Sequence, residues 1–282
     1  MVDRYSVKWY KTTKEKDMDN HCLDVTKPQQ AYMYGFIQTD GHMSKGTRDK
    51  GRVTIEVGEQ DRSVLETFAS LISYHSSISV RTRATNFSQQ YTSVSWSVYD
   101  KRFRDCLLSL GMPYGKKSAI IAPPTCEYAQ IDYFRGILDG DGSLGITGNS
   151  YPFVALVTAS SALAVVYMSF LGELTGKTKK LALNMRDHIY NITIYKEDAQ
   201  IVASTLYYDG CLALTRKMQS AQRIQQWQRP DAMRKRDFAR KTWLPDEDAC
   251  ILSHTIEESA EMLNRTQKSI KTRLWRLRDS NN

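Results

Sequence analysis

Apolar residues recur at helical spacing in two stretches of the chain, and each stretch ends on an aspartate followed by a glycine. The first stretch runs from Tyr34 to Gly41 and the second from Phe134 to Gly142. Apolar residues every three to four positions predict an amphipathic helix. A glycine directly after the last acid is typical of a C-terminal cap with positive φ. We therefore predict two helices that end at Asp40 and Asp141.

The segments after each helix alternate between apolar and polar residues, as half-buried strands do. The first helix is followed by a basic hairpin and by strand patterns at 53–57, 78–85 and 91–99; the second is followed by strand patterns at 143–146, 153–157, 181–185 and 190–195. The two aspartates are 101 residues apart, and Tyr99 and Tyr195 at the last strands are 96 apart. The second half of the chain therefore repeats the first.

A glycine inside each predicted helix indicates close packing between the two. Glycine costs about 1 kcal/mol relative to alanine in a helix interior, so Gly35 and Gly136 are best explained by the approach of another backbone. If the helices pack along these glycines, Asp40 and Asp141 meet. Two carboxylates at the negative ends of two helix dipoles repel each other unless divalent cations lie between them. A simpler interpretation makes each Asp-Gly a helix end with a solvated acid, and the second copy argues against it.

The two motifs resemble the duplicated motif of the LAGLIDADG homing endonucleases in their single-chain form. The resemblance extends over about residues 30–220; the second copy matches closely, and the first has Gln38 where the family often has its first acid. It implies an α+β fold of two pseudo-symmetric αββαββα halves, whose antiparallel sheets form a saddle over DNA. It also implies metal-dependent hydrolysis of both strands of double-stranded DNA at a long asymmetric target site.

The resemblance also indicates which residues would act. The metal-binding candidates are Asp40, Asp141, Gly140 and Thr39. The expected metal is Mg²⁺ or Mn²⁺, because such ions prefer oxygen ligands and can activate water beside a phosphate. Glu59 and Lys196, at strand ends, match further catalytic residues by position, although an ordinary surface charge is an open alternative for both.

Basic and polar residues of the predicted strands are candidates for DNA contact, since a sheet can present its polar face to a duplex. These candidates are Lys45, Arg48, Arg52, Arg81, Arg83, Asn184 and Arg186. For each of them a solvated strand face is an open alternative.

The last forty residues resemble a small helix-turn-helix module of the Myb/SANT-like kind. Helical patterns start near Trp243 and continue through 256–263 and 267–277. The last helix is basic and would enter the major groove, with Lys268, Lys271 and Arg273 as DNA-binding candidates. We assign Trp243 and Trp275 to the core of this module.

Length and patterning together predict several folding units. The predicted boundaries are an N-terminal extension at 1–29, a first half at 30–115, a linker at 116–129, a second half at 130–228, a basic linker at 229–242 and the helix-turn-helix module at 243–282. The extension shows no sustained period and is given no function. Lys and Arg number 39 against 31 Asp and Glu, a formal charge of +8, which favours a polyanionic partner.

The chain shows no sign of secretion or membrane insertion. Its amino terminus lacks an apolar signal region. The apolar stretch from Pro152 to Leu174 is best interpreted as a strand and a buried helix, because Thr158, Ser160 and Ser161 interrupt it. The five cysteines lack metal-binding spacing and are predicted to be reduced thiols. We expect a monomer in the cytoplasm of a bacterial or phage-infected cell, or in an organelle.

These observations favour a site-specific double-strand DNA endonuclease that acts in the homing of its own intron or gene. Two alternatives stay open from the sequence. One is an RNA maturase of the same fold, for which the partner would be its own intron RNA. The other is a DNA-binding regulator with an inactive nuclease core, which the presence of both motif acids disfavours.

Overall fold

The computed structural model describes residues 5–10, 22–84, 90–178, 180–230, 233 and 242–279. The chain divides into two compact units, Met1–Arg229 and Pro230–Asn282, which are described separately below.

The first half of the larger unit is a helix-flanked, five-stranded antiparallel sheet. Its elements are β1 (Tyr5–Tyr10), α1 (Pro28–Asp40), β2 (Gly41–Met43), β3 (Val53–Gly58), α2 (Arg62–Leu71), β4 (Ser76–Arg83), β5 (Tyr91–Val98) and α3 (Lys101–Ser109), and the strand order is β1-β4-β5-β3-β2. The edge strand β1 lies within the predicted N-terminal extension, whose sequence shows no sustained hydrophobic period. Its pairing with β4 relies on backbone hydrogen bonds, which a search for side-chain periodicity does not detect.

The second half repeats this order and confirms the predicted α+β class. Its elements are α4 (Gln130–Asp141), β6 (Gly142–Ile146), β7 (Pro152–Thr158), α5 (Ser161–Thr175), β8 (Leu183–Asn184), β9 (Ile189–Tyr195), α6 (Lys196–Leu206) and α7 (Thr215–Gln225), and the strand order is β6-β7-β9-β8. Each half therefore contains the αββαββα order; β1 is an addition to the first half and α7 is an addition to the second.

The α1–α4 contact forms the centre of the unit. A Cβ atom on Gly35 would lie 2.4 Å from the carbonyl oxygen of Tyr133, and one on Gly136 would lie 2.2 Å from that of Tyr32. Only glycine allows the two backbones to come this close. Eight consecutive residues of α1, from Ala31 to Gln38, are buried, because this helix is covered by both α4 and the first sheet.

The glycines after the two helices differ from our prediction. Gly41 has φ −76° and Gly142 has φ −87°, so neither adopts the positive φ of a glycine cap. A Cβ on Gly41 would lie 2.5 Å from the carbonyl oxygen of Ile37, and one on Gly142 would lie 2.4 Å from the Leu138 side chain. These glycines are required because the chain turns directly from helix into strand and folds back against the last helical turn.

A further expectation from the sequence, that of reduced thiols throughout, is wrong. Cys22 and Cys106 form a disulfide, whereas we predicted reduced thiols throughout; the fold brings these residues together across 84 positions, and spacing alone cannot show this. Asp61 precedes α2 without a side-chain capping bond. It is buried instead and pairs with Arg216 of α7, with 3.1 Å between carboxylate and guanidinium.

The smaller unit consists of α8 (Pro245–Ser253), α9 (Ile256–Met262) and α10 (Gln267–Asp279). Ile251 and Ile270 are its buried aliphatic residues. The Arg265 guanidinium lies 3.8 Å from the centre of the Trp243 ring and pairs with Glu247 at 2.8 Å. Trp275 is 63% exposed, so its assignment to the core is wrong: it projects from the solvent side of α10. Across the described parts of both units, no helix is long and apolar enough to cross a bilayer.

We predict that Gly136→Ala destabilises the larger unit although alanine is the better helix former. The added methyl group overlaps the Tyr32 carbonyl, and overpacking of this kind costs about 1–3 kcal/mol. A melting temperature lower by roughly 4–10 °C is expected in calorimetry. Gly148→Ala is the matched control, because nothing lies within 4 Å of its Cβ position; equal effects of the two substitutions would contradict the packing argument.

Candidate catalytic site and nucleic-acid interface

The last residues of α1 and α4 place Asp40 and Asp141 close enough to influence each other. The pKa of Asp40 is raised from about 3.8 to about 6, first by burial of the carboxyl group and then by the charge of Asp141. Burial also raises the pKa of Asp141. Both residues reach solvent, but the surrounding protein displaces enough water to disfavour two negative charges. The helix dipoles add to this cost, since both carboxylates lie at negative helix ends.

Two lysines lie beside the aspartates in pseudo-symmetric positions. The Lys117 ammonium donates to the carbonyl oxygens of Gln38 (2.7 Å) and Thr39. The Lys217 ammonium donates in the same way to the carbonyls of Leu138 and Gly142, the latter at 2.6 Å. Each lysine therefore binds the carbonyl-rich end of one motif helix.

The charges of Lys117 and Lys217 partly offset the repulsion between the acids. Both lysines act to lower the pKa values of Asp40 and Asp141. Burial in turn lowers the pKa of Lys217 to about 8 and also lowers that of Lys117. The site thus contains two acids and two cations, all with pKa values shifted towards neutrality, which is characteristic of functional sites.

Sequence reasoning missed these lysines as site residues. We interpreted Lys117 as part of a linker, and α7, which carries Lys217, has no counterpart in the first half. A signal was nevertheless present, because the two lysines are 100 residues apart and the two aspartates 101.

A layer of hydrogen bonds beneath the site holds the two helices in register. The Tyr32 hydroxyl of α1 donates to Asp139 of α4 at 2.6 Å, and the Tyr133 hydroxyl of α4 donates to Gln38 of α1 at 2.5 Å. Asp139 is fully buried and also accepts from Tyr207 and from the Leu214 backbone. Gln38, the departure from the family pattern, is thus the structural equivalent of Asp139.

The donor set at the helix ends fits a small, hard divalent cation. It consists of two carboxylates that repel each other and therefore gain from a cation between them. Within the ranges that the structure describes, no group of three or more His, Cys, Asp or Glu side chains could hold a metal, so water and phosphate would have to complete the coordination, as Mg²⁺ commonly requires.

Thr39 and Gly140, our other metal candidates, meet where the two helices touch. A Cβ on Gly140 would lie 1.9 Å from the Thr39 hydroxyl, so Gly140 allows the helix ends to approach. The Thr39 hydroxyl donates to the Phe36 carbonyl at 2.9 Å, and the backbone carbonyl of Thr39 accepts from Lys117. Metal ligation by either residue stays a prediction.

The catalytic candidates Glu59 and Lys196 have other partners. Glu59 pairs with Arg62 at 3.3 Å. The Lys196 ammonium lies 4.9 Å from the centre of the Tyr151 ring. Within the described residues, no hydrogen bond or ion pair joins either side chain to Asp40 or Asp141, and their catalytic role stays a prediction.

The first sheet has an open polar face. This face forms a groove with a volume of about 370 Å³. It is lined by Arg52, Thr54, Glu56, Ser77, Ser79, Arg81, Ser93, Ser95, Ser97 and Tyr99. The candidates Arg52 and Arg81 therefore lie on one surface. Arg83 pairs with Glu56 of the same face at 3.0 Å.

Buried Arg104 of α3 fixes the loop that carries Lys45 and Arg48. Its guanidinium donates to the carbonyl oxygens of Asp49 (2.6 Å), Gly51 (2.7 Å) and Tyr99 (2.7 Å). Arg48 and Asp49 have φ values of 51° and 62°, an uncommon conformation that these bonds help to maintain. The basic hairpin is therefore held in place by the core.

The remaining DNA candidates differ in their surroundings. Asn184 and Arg186 both bond Asp187, and the Arg186 side chain is 88% exposed. Lys268 and Lys271 are exposed on α10. Arg273 forms a bidentate ion pair with Asp248 of α8, with nitrogen–oxygen distances of 2.6 and 2.7 Å. This pair connects α10 to α8 within the smaller unit.

No protein-family model matches this sequence, and no curated protein matches it either. Similar solved structures include the homing endonuclease I-WcaI bound to its DNA recognition sequence (14% identity, TM-score 0.48, 69% of this chain and 87% of that one). They also include variants of the homing endonuclease I-DmoI (14%, 0.44, 71% and 100%) and full-length DUF199/WhiA from Thermatoga maritima (13%, 0.43, 88% and 89%). At this level of similarity the roles of individual residues rest on the geometry above.

We predict that Asp40→Asn stabilises the metal-free protein at pH 8. In the folded state the pKa of Asp40 is about 6, whereas in the unfolded chain it is about 3.8. The folded wild type therefore loses stability as the pH rises from about 4 through 6. After screening by solvent, a gain of about 1 kcal/mol is expected, or roughly 2–4 °C in melting temperature in EDTA. The gain should vanish at pH 4.

Asp100→Asn is the control for this experiment. Hydrogen bonds from Arg102 lower the pKa of Asp100, so its contribution to stability is present at pH 8 and is lost as the solution is acidified. The variant should therefore be less stable than the wild type at pH 8. A loss of stability for Asp40→Asn under the same conditions would contradict the proposed repulsion.

Proposed function

We propose that this protein is a divalent-metal-dependent, site-specific double-strand DNA endonuclease. The observation that carries the proposal is the pair of mutually repelling aspartates at the ends of two abutting helices, flanked by two sheets and by two lysines, the half-buried Lys117 and the buried Lys217. We further propose that the cut serves the homing of the intron or gene that encodes the protein.

Asp40 and Asp141 would hold Mg²⁺ or Mn²⁺. Such ions, when bound, polarise a phosphodiester and lower the pKa of water. The two carboxylates would fix the position of these ions, since a carboxylate alone repels a phosphate. Lys117 and Lys217 would add positive charge beside the scissile phosphates, where negative charge increases during the reaction. The pseudo-symmetric arrangement supplies one acid and one lysine for each strand of a duplex.

Duplex DNA suits the surfaces on either side of the site. The minor groove of B-DNA is only about 6 Å wide, whereas the major groove, at about 12 Å, admits strands of a sheet. Two sheets separated by the aspartates can therefore enter two successive parts of the major groove while the acids face the backbone between them. An A-form RNA helix has a deep, narrow major groove that side chains do not enter, which disfavours an RNA maturase.

We predict that Asp40→Asn and Asp141→Asn each abolish double-strand cleavage. The substrate is a duplex with the host sequence uninterrupted by the intron, incubated with Mg²⁺ or with EDTA, and the product is scored on a gel. Lys117→Met and Lys217→Met should slow cleavage roughly 10²-fold, because each removes one positive charge beside the phosphate.

Asp105→Asn, on the outer face of α3, is the control and should cleave like the wild type. Tight, specific binding without cleavage in every divalent metal would refute the nuclease and favour a DNA-binding regulator. Rescue of intron splicing without DNA cleavage would favour a maturase.

We also predict that removal of Pro230–Asn282 weakens DNA binding while leaving some cleavage. The lost helix α10 carries Lys268 and Lys271 on its exposed surface, and each phosphate contact contributes about one unit to the dependence of log Kd on log salt. The slope of log Kd against log salt concentration should be smaller by about 2 for the truncated protein, and its footprint on DNA should be shorter.

Substitutions in the full chain test the same point. The variant with Lys268→Gln and Lys271→Gln should reproduce the change in slope, and Glu261→Gln should not. An unchanged footprint and slope would exclude the smaller unit from recognition.

A further inference from the structure

The two sheets have equivalent strands, and their registers show which residues correspond. Gly41, the first residue after α1, pairs with Ile55, and Gly142, the first after α4, pairs with Leu156. The neighbouring positions therefore correspond as well: Arg52 with Phe153, Thr54 with Ala155, and Glu56 with Val157. Because side chains alternate along a strand, all six positions belong to the sheet face that points away from the helices.

The two open faces differ in chemistry. The first sheet presents serine, threonine, arginine and glutamate side chains, as described above. On the second sheet, the central strand β7 presents Phe153, Ala155 and Val157. The paired strand β9 has Ile189, Asn191, Thr193 and Tyr195 at the same parity, so its part of this face is mixed. Val157 is 43% exposed and Tyr195 is 50% exposed. Strand β7 therefore gives the second sheet an exposed apolar stripe where the corresponding strand β3 of the first sheet is polar.

This difference lies within the proposed DNA interface. Both faces continue directly from the aspartate-bearing helix ends through β2 and β6, so a duplex across the aspartates meets both of them. An exposed apolar surface gains free energy only by contact with apolar groups. The base edges of unmodified DNA offer one such group in the major groove, the C5-methyl of thymine.

We propose that the half-site bound by the second sheet is rich in A·T pairs and is recognised through thymine methyl groups, which contact Phe153, Ala155 and Val157. The first half-site is recognised instead by hydrogen bonds from the polar face of the first sheet. This inference rests on the proposed binding of duplex DNA, and it adds the base composition of the target and the residues that select it. RNA carries uracil, which lacks the methyl group, so the same face discriminates against RNA.

The experiment starts with the full chain in EDTA, which prevents cleavage, and a library of random duplexes. Repeated rounds of binding should enrich a sequence with one half rich in A·T pairs. Thymine in the enriched duplex is then replaced by deoxyuridine in one half at a time, which removes only the methyl groups. Substitution in the half bound by the second sheet should weaken binding roughly 5- to 30-fold, as expected for two or three lost methyl contacts. Substitution in the other half should change binding less than about 2-fold.

The variant Val157→Thr shows which half of the duplex the second sheet contacts. Threonine keeps the shape of valine at this exposed position and replaces one methyl group by a hydroxyl. In this variant, deoxyuridine in the A·T-rich half should weaken DNA binding less than it does in the wild type; this loss of binding is called the deoxyuridine penalty below. Thr54→Val, on the open face of the first sheet at the position that corresponds to Ala155, is the control and should leave that penalty unchanged. Melting curves of both variants should match the wild type.

Three outcomes would overturn the inference. The first is an enriched duplex without an A·T-rich half, and the second is a deoxyuridine penalty that is absent or equal in both halves. The third is a penalty that Val157→Thr does not alter. Enrichment of no duplex at all would overturn the proposed function as well, which separates the two failures.

Discussion

The contact between α1 and α4 is the constraint on which the rest of the larger unit depends. Gly35 and Gly136 let each helix backbone lie against a carbonyl oxygen of the other helix. Because the approach is this close, the C-terminal ends of the helices meet and both sheets start from one place. The reciprocal bonds from Tyr32 and Tyr133 then fix how far one helix can slide along the other. A site shared by two halves needs both the proximity and the register.

Bringing two helix ends together creates an electrostatic problem that also makes the site useful. Asp40 and Asp141 repel each other, and exposed carbonyl oxygens surround them. Lys117 and Lys217 bind these carbonyls and offset part of the negative charge, but burial lowers their own pKa values. The metal-free site is thus a place where the fold gives up stability, as functional sites commonly do, and where a divalent cation and a phosphate would both be stabilised.

The repeat in the chain preserves the scaffold while the exposed surfaces differ. Helix order, strand order and register correspond between the halves, and the core positions are apolar in both. The open faces have diverged, so that Thr54 and Glu56 correspond to Ala155 and Val157. A duplicated fold with unequal faces suits an asymmetric partner, since each half then contacts a different surface. The additional helix α7 serves the second half alone, yet its Lys217 reproduces what a loop residue, Lys117, does in the first.

The sequence by itself determined the α+β class, the two-fold repeat, the helices that end at Asp40 and Asp141, and the close packing at Gly35 and Gly136. These follow from local periodicity and from residues whose conformational or steric needs are visible in isolation. The tertiary structure alone decided the position of Lys117 and Lys217, the disulfide between Cys22 and Cys106, and the role of Gly41. Such features depend on which distant segments come into contact, and a one-dimensional pattern does not contain those distances.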